Sequence, residues 1–111
     1  MAFARGLVRV LEEKKAEDIL LLDVQGRCPF ADYFVLCSGS SDRMLRALAE
    51  AVQEAVHQEY HGTARVEGRA ESGWILMDLG SVIAHFFSPS MREYYDLEDF
   101  WRDAKVLVRI Q

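Results

Sequence analysis

Tyr33-Phe34-Val35-Leu36-Cys37, followed by Ser38-Gly39-Ser40-Ser41-Asp42, decides the fold. Five apolar residues in a row read as a strand buried on both faces. The Ser-Gly-Ser-Ser-Asp run stops that strand and starts a helix. Ser41 or Asp42 serves as N-cap, and Asp42 also suits the positive end of a helix dipole. Behind the cap, Leu45, Leu48, Ala49, Val52, Val56 and Tyr60 recur at helical spacing. This predicts an amphipathic helix over about residues 42–60, with Gly62 as its C′ residue. A strand that feeds a long helix is the first half of a crossover, so the strands on either side of the helix are expected to pair in parallel.

On the N-terminal side, Phe3, Leu7, Val10 and Leu11 predict a short helix over 3–14. Ile19–Val24 reads as a second doubly buried strand, ended by the turn Gln25-Gly26-Arg27. On the C-terminal side, Thr63–Glu67 reads as a short strand. Trp74–Leu79 and Val82–Phe87 form a hairpin closed at Gly80-Ser81. Ser88-Pro89-Ser90 opens another helix, with Ser90 and Glu93 at capping-box spacing. Asp96 caps a last helical segment, Leu97–Asp103. Val106, Val108 and Ile110 alternate, as in an extended tail. The expected architecture is α/β: a five-stranded mixed sheet with helices on its faces. One domain spans 1–104, and 105–111 form a C-terminal tail.

Composition narrows the function. The chain has 111 residues, enough for one core, and half of them are apolar. Its 13 Lys and Arg stand against 18 Asp and Glu, a net charge of −5. No basic stripe is visible, so a basic protein is a better partner than a nucleic acid. Apolar runs such as Ile19–Leu22 are far too short to cross a bilayer. No secretory leader is seen, and a cytoplasmic location is expected. Cys28 and Cys37 form neither a disulfide framework nor a metal quartet.

Candidate chemistry is thin. Gly39-Ser40 lies at a strand-to-helix turn, where free amides can hold an anion. Nucleotidyltransferases add paired carboxylates after such a turn; here only Asp42 is near, so a turn plus cap is favoured. His57 and His61 are four apart, but Gln58 stands where a zincin needs Glu. Ser38, His85 and Asp78 could be drawn as a triad, yet no nucleophile elbow is present. His85 is therefore expected to be structural, satisfied by a neighbour. Residues 90–103 hold five acids (Glu93, Asp96, Glu98, Asp99, Asp103) around Tyr94, Tyr95, Phe100 and Trp101. Aromatics in an acidic frame suit a docking surface for a basic protein, or else they cap the core.

These blocks carry a resemblance. Lys15-Ala16-Glu17-Asp18 runs into Ile19–Asp23, and Ala31-Asp32-Tyr33-Phe34-Val35 and Ser38-Gly39-Ser40-Ser41-Asp42-Arg43 follow. Then come Glu67-Gly68, Trp74-Ile75-Leu76-Met77-Asp78-Leu79-Gly80, His85, and Arg92-Glu93-Tyr94-Tyr95-Asp96-Leu97-Glu98 with Trp101. In this order they resemble the ribosomal silencing factor family (RsfS/Iojap). The resemblance implies a nucleotidyltransferase-like fold without catalytic carboxylates, no enzymatic activity and no cofactor. It implies binding to the large ribosomal subunit through its ribosomal protein fourteen, which blocks joining of the small subunit and represses translation. Organelle relatives act in large-subunit assembly, and relatives form homodimers. Carried over by position, the implied contacts are Trp74, Leu79 and Tyr95. Asp78, Asp96 and Glu98 are added as neighbours able to face Arg or Lys. The alternatives are a nucleotide-handling enzyme using Gly39-Ser40 and a large-subunit assembly factor.

Overall fold

A computed structural model describes residues 2–60 and 62–111. In chain order its elements are α1 (Ala2–Glu13), β1 (Glu17–Asp23), β2 (Tyr33–Ser38), α2 (Asp42–Glu59) and β3 (Arg65–Arg69). A 3₁₀ turn (Ala70–Ser72) leads to β4 (Trp74–Asp78) and β5 (Val82–Phe87), then α3 (Pro89–Tyr95), α4 (Leu97–Phe100) and β6 (Lys105–Ile110).

The strands form one sheet in the order β3-β4-β5-β2-β1-β6. It has six strands, not the five expected. The stretch set apart as a tail supplies β6, which pairs antiparallel with β1 from Ile19↔Ile110 to Asp23↔Lys105. β1 thus has a neighbour on each side, and Ile19–Leu22 is apolar throughout because both of its faces are covered. The parallel pair is also not the one expected. β2 pairs in parallel with β5, not with the strand that follows α2. After α2 the chain runs to the far edge and returns as the antiparallel meander β3-β4-β5.

α2 forms as its pattern dictates. Ser41 is the N-cap, its Oγ accepting the Met44 N–H at 3.0 Å. Leu45, Leu48, Ala49, Val52 and Val56 are its buried stripe. Each large side chain in that stripe stabilises by roughly 1.5–3 kcal/mol. At the far end, the N–H groups of Tyr60 and Gly62 both donate to the Val56 carbonyl.

α1 and α2 cover one face of the sheet, over Ile19, Leu21, Val35, Cys37, Ile75, Met77 and Phe86. The other face carries Leu20, Leu22, Phe34, Leu36, Ile83 and Phe87. It is closed by much less: the loop with Cys28 and Ala31, the short helices α3 and α4 through Met91, Leu97 and Trp101, and Ala104. Both cysteines are free and buried. Burial pushes the Cys37 thiol up to about 12, partly offset by the nearby Arg92 charge, so this sulfur is inert.

The start of α3 departs from the expected capping box. Ser88, not Ser90, is the N-cap; its Oγ accepts the Met91 N–H at 3.2 Å, and Pro89 takes the first helical position. A proline there loses no helical hydrogen bond, which favours this frame. Asp96 does cap α4, accepting from the Asp99 N–H at 3.4 Å, though α4 closes at Phe100. Asp96 sits at φ 47, the left-handed cap that ends α3 and turns the chain into α4.

Candidate partner-binding face

The thinly covered face gathers aromatic rings. Trp74 opens β4, and alternation puts Trp74, Leu76 and Asp78 on this side, with Ile75 and Met77 in the helix-side core. Gly73, at φ 79, precedes Trp74, and its carbonyl accepts the Ser88 N–H at 2.9 Å. A β-carbon at Gly73 would lie 2.6 Å from Ser88 Oγ and 2.7 Å from Met91 Cγ. Only glycine lets the first turn of α3 come this close to β4. α3 then carries Tyr95 to Trp74, with ring centroids 4.5 Å apart.

From that pair the rings run on without a break. Tyr94 meets Tyr95 edge-on at 5.1 Å. Trp74 stacks on Phe87 at 5.1 Å and lies 6.0 Å from His85. His85 meets Phe34 at 5.1 Å, Phe34 meets Trp101 at 5.2 Å, and Trp101 meets Phe100 at 5.3 Å. The series begins and ends in solvent: Tyr94 and Phe100 are each 75% exposed, and Tyr95 is 45% exposed. Its middle is buried. The two expectations for this region therefore divide by residue: Trp101 closes the core, while Tyr94, Tyr95 and Phe100 project from it.

Acidic side chains frame the exposed rings, but several are already engaged. Arg92 donates from Nε and Nη2 to the two Glu98 oxygens, at 3.0 and 3.3 Å. Its Nη1 reaches the Asp18 carbonyl at 2.7 Å and Ser38 Oγ at 3.0 Å. Glu98, expected to face a partner's base, thus faces a base of its own chain. Asp96 is held by its capping role, and Asp99 lies 3.6 Å from Arg102. Glu93, Asp96 and Asp103 are the exposed acids of this stretch with no ion pair among the described residues.

Asp78 and Leu79 lie elsewhere. They sit at the hairpin end of β4, about 13 Å along the strand from Trp74 at 3.3 Å per residue. Asp78 Oδ1 accepts the Gly80 N–H at 2.9 Å, which fixes the turn. Leu79 is a contact implied by the resemblance. It is half-buried and packs toward the helix-side core, because it continues the alternation of Ile75 and Met77. With Phe3, Val56, Tyr60 and Arg65, these two residues border a separate hollow of about 600 Å³. The six residues singled out from the sequence therefore form two groups, with Trp74, Tyr95, Asp96 and Glu98 around α3 and α4.

The other candidates resolve simply. The Gly39 amide at the strand-to-helix turn is spent on the Phe87 carbonyl, at 2.9 Å. Ser38 Oγ is bonded by Arg92, and His85 by Trp74, so Ser38, His85 and Asp78 make no relay. His61 lies outside the described residues. Among the described residues no cluster of three His, Cys, Asp or Glu side chains could hold a metal ion, and no helix is long and apolar enough to cross a membrane. Tyr94 and Phe100 stand in the aromatic stretch that the sequence offers as a docking surface, but not among the six residues singled out. The signal for Tyr94 is its spacing: Met91 and Tyr95 are four apart and face Gly73 and Trp74 at the start of β4, which turns Tyr94 away.

The profile of the family described as "Ribosomal silencing factor during starvation" matches residues 2–111. The chain belongs to the ribosomal silencing factor family. A Bacillus subtilis protein named ribosomal silencing factor RsfS is 41% identical over 93 residues, covering 84% of this chain and 79% of that protein. A mouse protein named for mitochondrial assembly of the ribosomal large subunit is 34% identical and also similar, with 86% of this chain matched to 43% of that one. Among solved structures, a Chromobacterium violaceum protein superposes with a TM-score of 0.84 at 31% identity, covering 90% of this chain and 83% of that one. A Bacillus halodurans protein does so with a TM-score of 0.75 at 35% identity, covering 87% and 90%. The family is regulatory by name, not enzymatic.

Proposed function

We propose that this protein silences ribosomes in the cytoplasm: it docks on the large subunit through ribosomal protein fourteen and sterically excludes the small subunit. The observation that carries the reading is the aromatic face, where the Trp74–Tyr95 pair stands beside exposed Tyr94 and Phe100 within an acidic frame. Large aromatic rings at a surface are the residue types that dominate binding energy. The acidic frame and the net charge of −5 favour a basic protein over phosphates as the direct contact. Family membership supports the ribosome as the place of that contact.

Co-sedimentation tests the docking step. The protein should pellet with isolated large subunits and stay in solution with small ones. Equal recovery with both, or with neither, would overturn the reading. A role in large-subunit assembly is the second reading, favoured by the name of the mouse relative. It predicts accumulation of immature large subunits when the protein is removed. A homodimer through the same rings would compete with docking, and large subunits should then dissociate it.

A further inference from the structure

We propose that His85 is a positioning residue for the partner-binding face, fixing the angle at which the Trp74 indole is presented. The proposal rests on the functional reading above, but its geometry stands apart from it. His85 lies in the middle of the sheet on β5, opposite Leu76 of β4 and Leu36 of β2. It is 4% exposed. Its Nδ1 accepts the Trp74 Nε1–H at 3.2 Å. Trp74 pairs with Phe87, two residues beyond His85, so the bond runs diagonally across the strand pair.

An imidazole that accepts at Nδ1 carries its proton on Nε2 when neutral. That second nitrogen is buried and has no partner among the described residues. An unmet buried donor is costly. An apolar side chain of similar size would fill the space without that cost, so burial does not account for a histidine here. What an apolar residue lacks is the acceptor. Trp74 otherwise rests on the rings of Phe87 and Tyr95, and ring stacking constrains the plane of an indole more than which edge faces inward. The bond to His85 draws the N–H edge inward and leaves the other edge to the surface. An anchor held in one rotamer binds without the cost of ordering it.

The test combines an indole signal with an affinity. In the NMR spectrum of the full chain, the Trp74 indole proton, assigned with Trp74→Phe, should exchange slowly and lie downfield of the Trp101 proton. His85→Phe removes the acceptor and keeps a ring; it should move the Trp74 signal and weaken binding to isolated large subunits about tenfold, the size of one lost net hydrogen bond. His85→Asn offers an acceptor near the Nδ1 position and should restore both. A Trp74 signal unmoved in His85→Phe would overturn the bond. A signal that moves with unchanged affinity would overturn the positioning role and leave the functional reading intact. If His85→Phe does not fold, a wild-type Trp74 proton that exchanges as freely as an exposed indole overturns the proposal without any variant. Wild-type protein that fails to bind large subunits overturns the functional reading and the positioning role with it, while the indole signal still reports the bond.

Discussion

Arg92 grips both oxygens of Glu98, at 3.0 and 3.3 Å, and so ties α3 to α4 across the turn at Asp96. The same guanidinium reaches the Asp18 carbonyl, where the β1–β2 register slips, and Ser38 Oγ at the end of β2. One side chain, 11% exposed, thus fastens the two short helices to the sheet. Neither helix has a buried residue of its own, so this fastening matters more than their packing.

Arg92→Ala should therefore destabilise strongly, by about 3 kcal/mol, because it strands Glu98 and two further acceptors, the Asp18 carbonyl and the buried Ser38 Oγ. Arg92→Lys should recover little, since an ammonium cannot fork between two oxygens. Urea unfolding measures both. A loss under about 1 kcal/mol would show that the pair is incidental, as surface pairs are.

The pH dependence of stability should carry the mark of His85. Burial among the Phe34, Trp74 and Phe87 rings pushes its imidazole down from 6.5 to about 4. Below pH 6.5 the unfolded chain takes up a proton that the folded chain refuses. Stability should fall as pH drops from 6.5 to about 4, by about 3 kcal/mol in all, and this contribution should level off below that. Urea unfolding of wild type and His85→Phe across this range checks it. Parallel curves would mean that His85 titrates normally in the fold.

Tyr95 should separate binding from folding. Its ring is 45% exposed at the end of α3, so Tyr95→Ala should cost about 1 kcal/mol or less of stability. It should cost about 2 kcal/mol or more of affinity for large subunits, as a hot-spot truncation does. Trp74 is not so clean a probe, because it is half-buried against Phe87 and His85 and its loss would affect both. A Tyr95→Ala protein with wild-type affinity would remove this ring from the interface.

Much of the fold was legible because its signals are local. The α2 stripe, the Ser41 cap and the bounds of Val82–Phe87 all follow from residues within one turn or one strand. Pairing is not local. β6 is recognised as a strand only through β1, more than eighty residues earlier in the chain, and the parallel partner of β2 is the last strand of a three-strand meander. The site divides in the same way. An acidic, aromatic stretch over 90–103 was visible, but nothing in it says that Glu98 is spent on Arg92. The two are six apart on different helices, outside the spacing that marks a helical ion pair, and they meet only because Asp96 turns the chain. Strand alternation carries Leu79 to the helix side, apart from the Trp74–Tyr95 pair.

Salt should separate protein from RNA as the docking partner. A protein making 6–10 phosphate contacts loses roughly 10³–10⁵ in affinity between 50 and 200 mM salt. A chain of net charge −5 that meets a basic protein should lose far less. A slope as steep as the phosphate case, measured by sedimentation across that range, would place ribosomal RNA at the contact.

Subunit joining tests the central claim most directly. Isolated large subunits are incubated with saturating protein before small subunits are added, and joined ribosomes are counted on a sucrose gradient. Wild-type protein should lower the yield in proportion to large subunits occupied, and Tyr95→Ala should need a correspondingly higher concentration. Full joining with the protein bound to every large subunit would contradict steric exclusion.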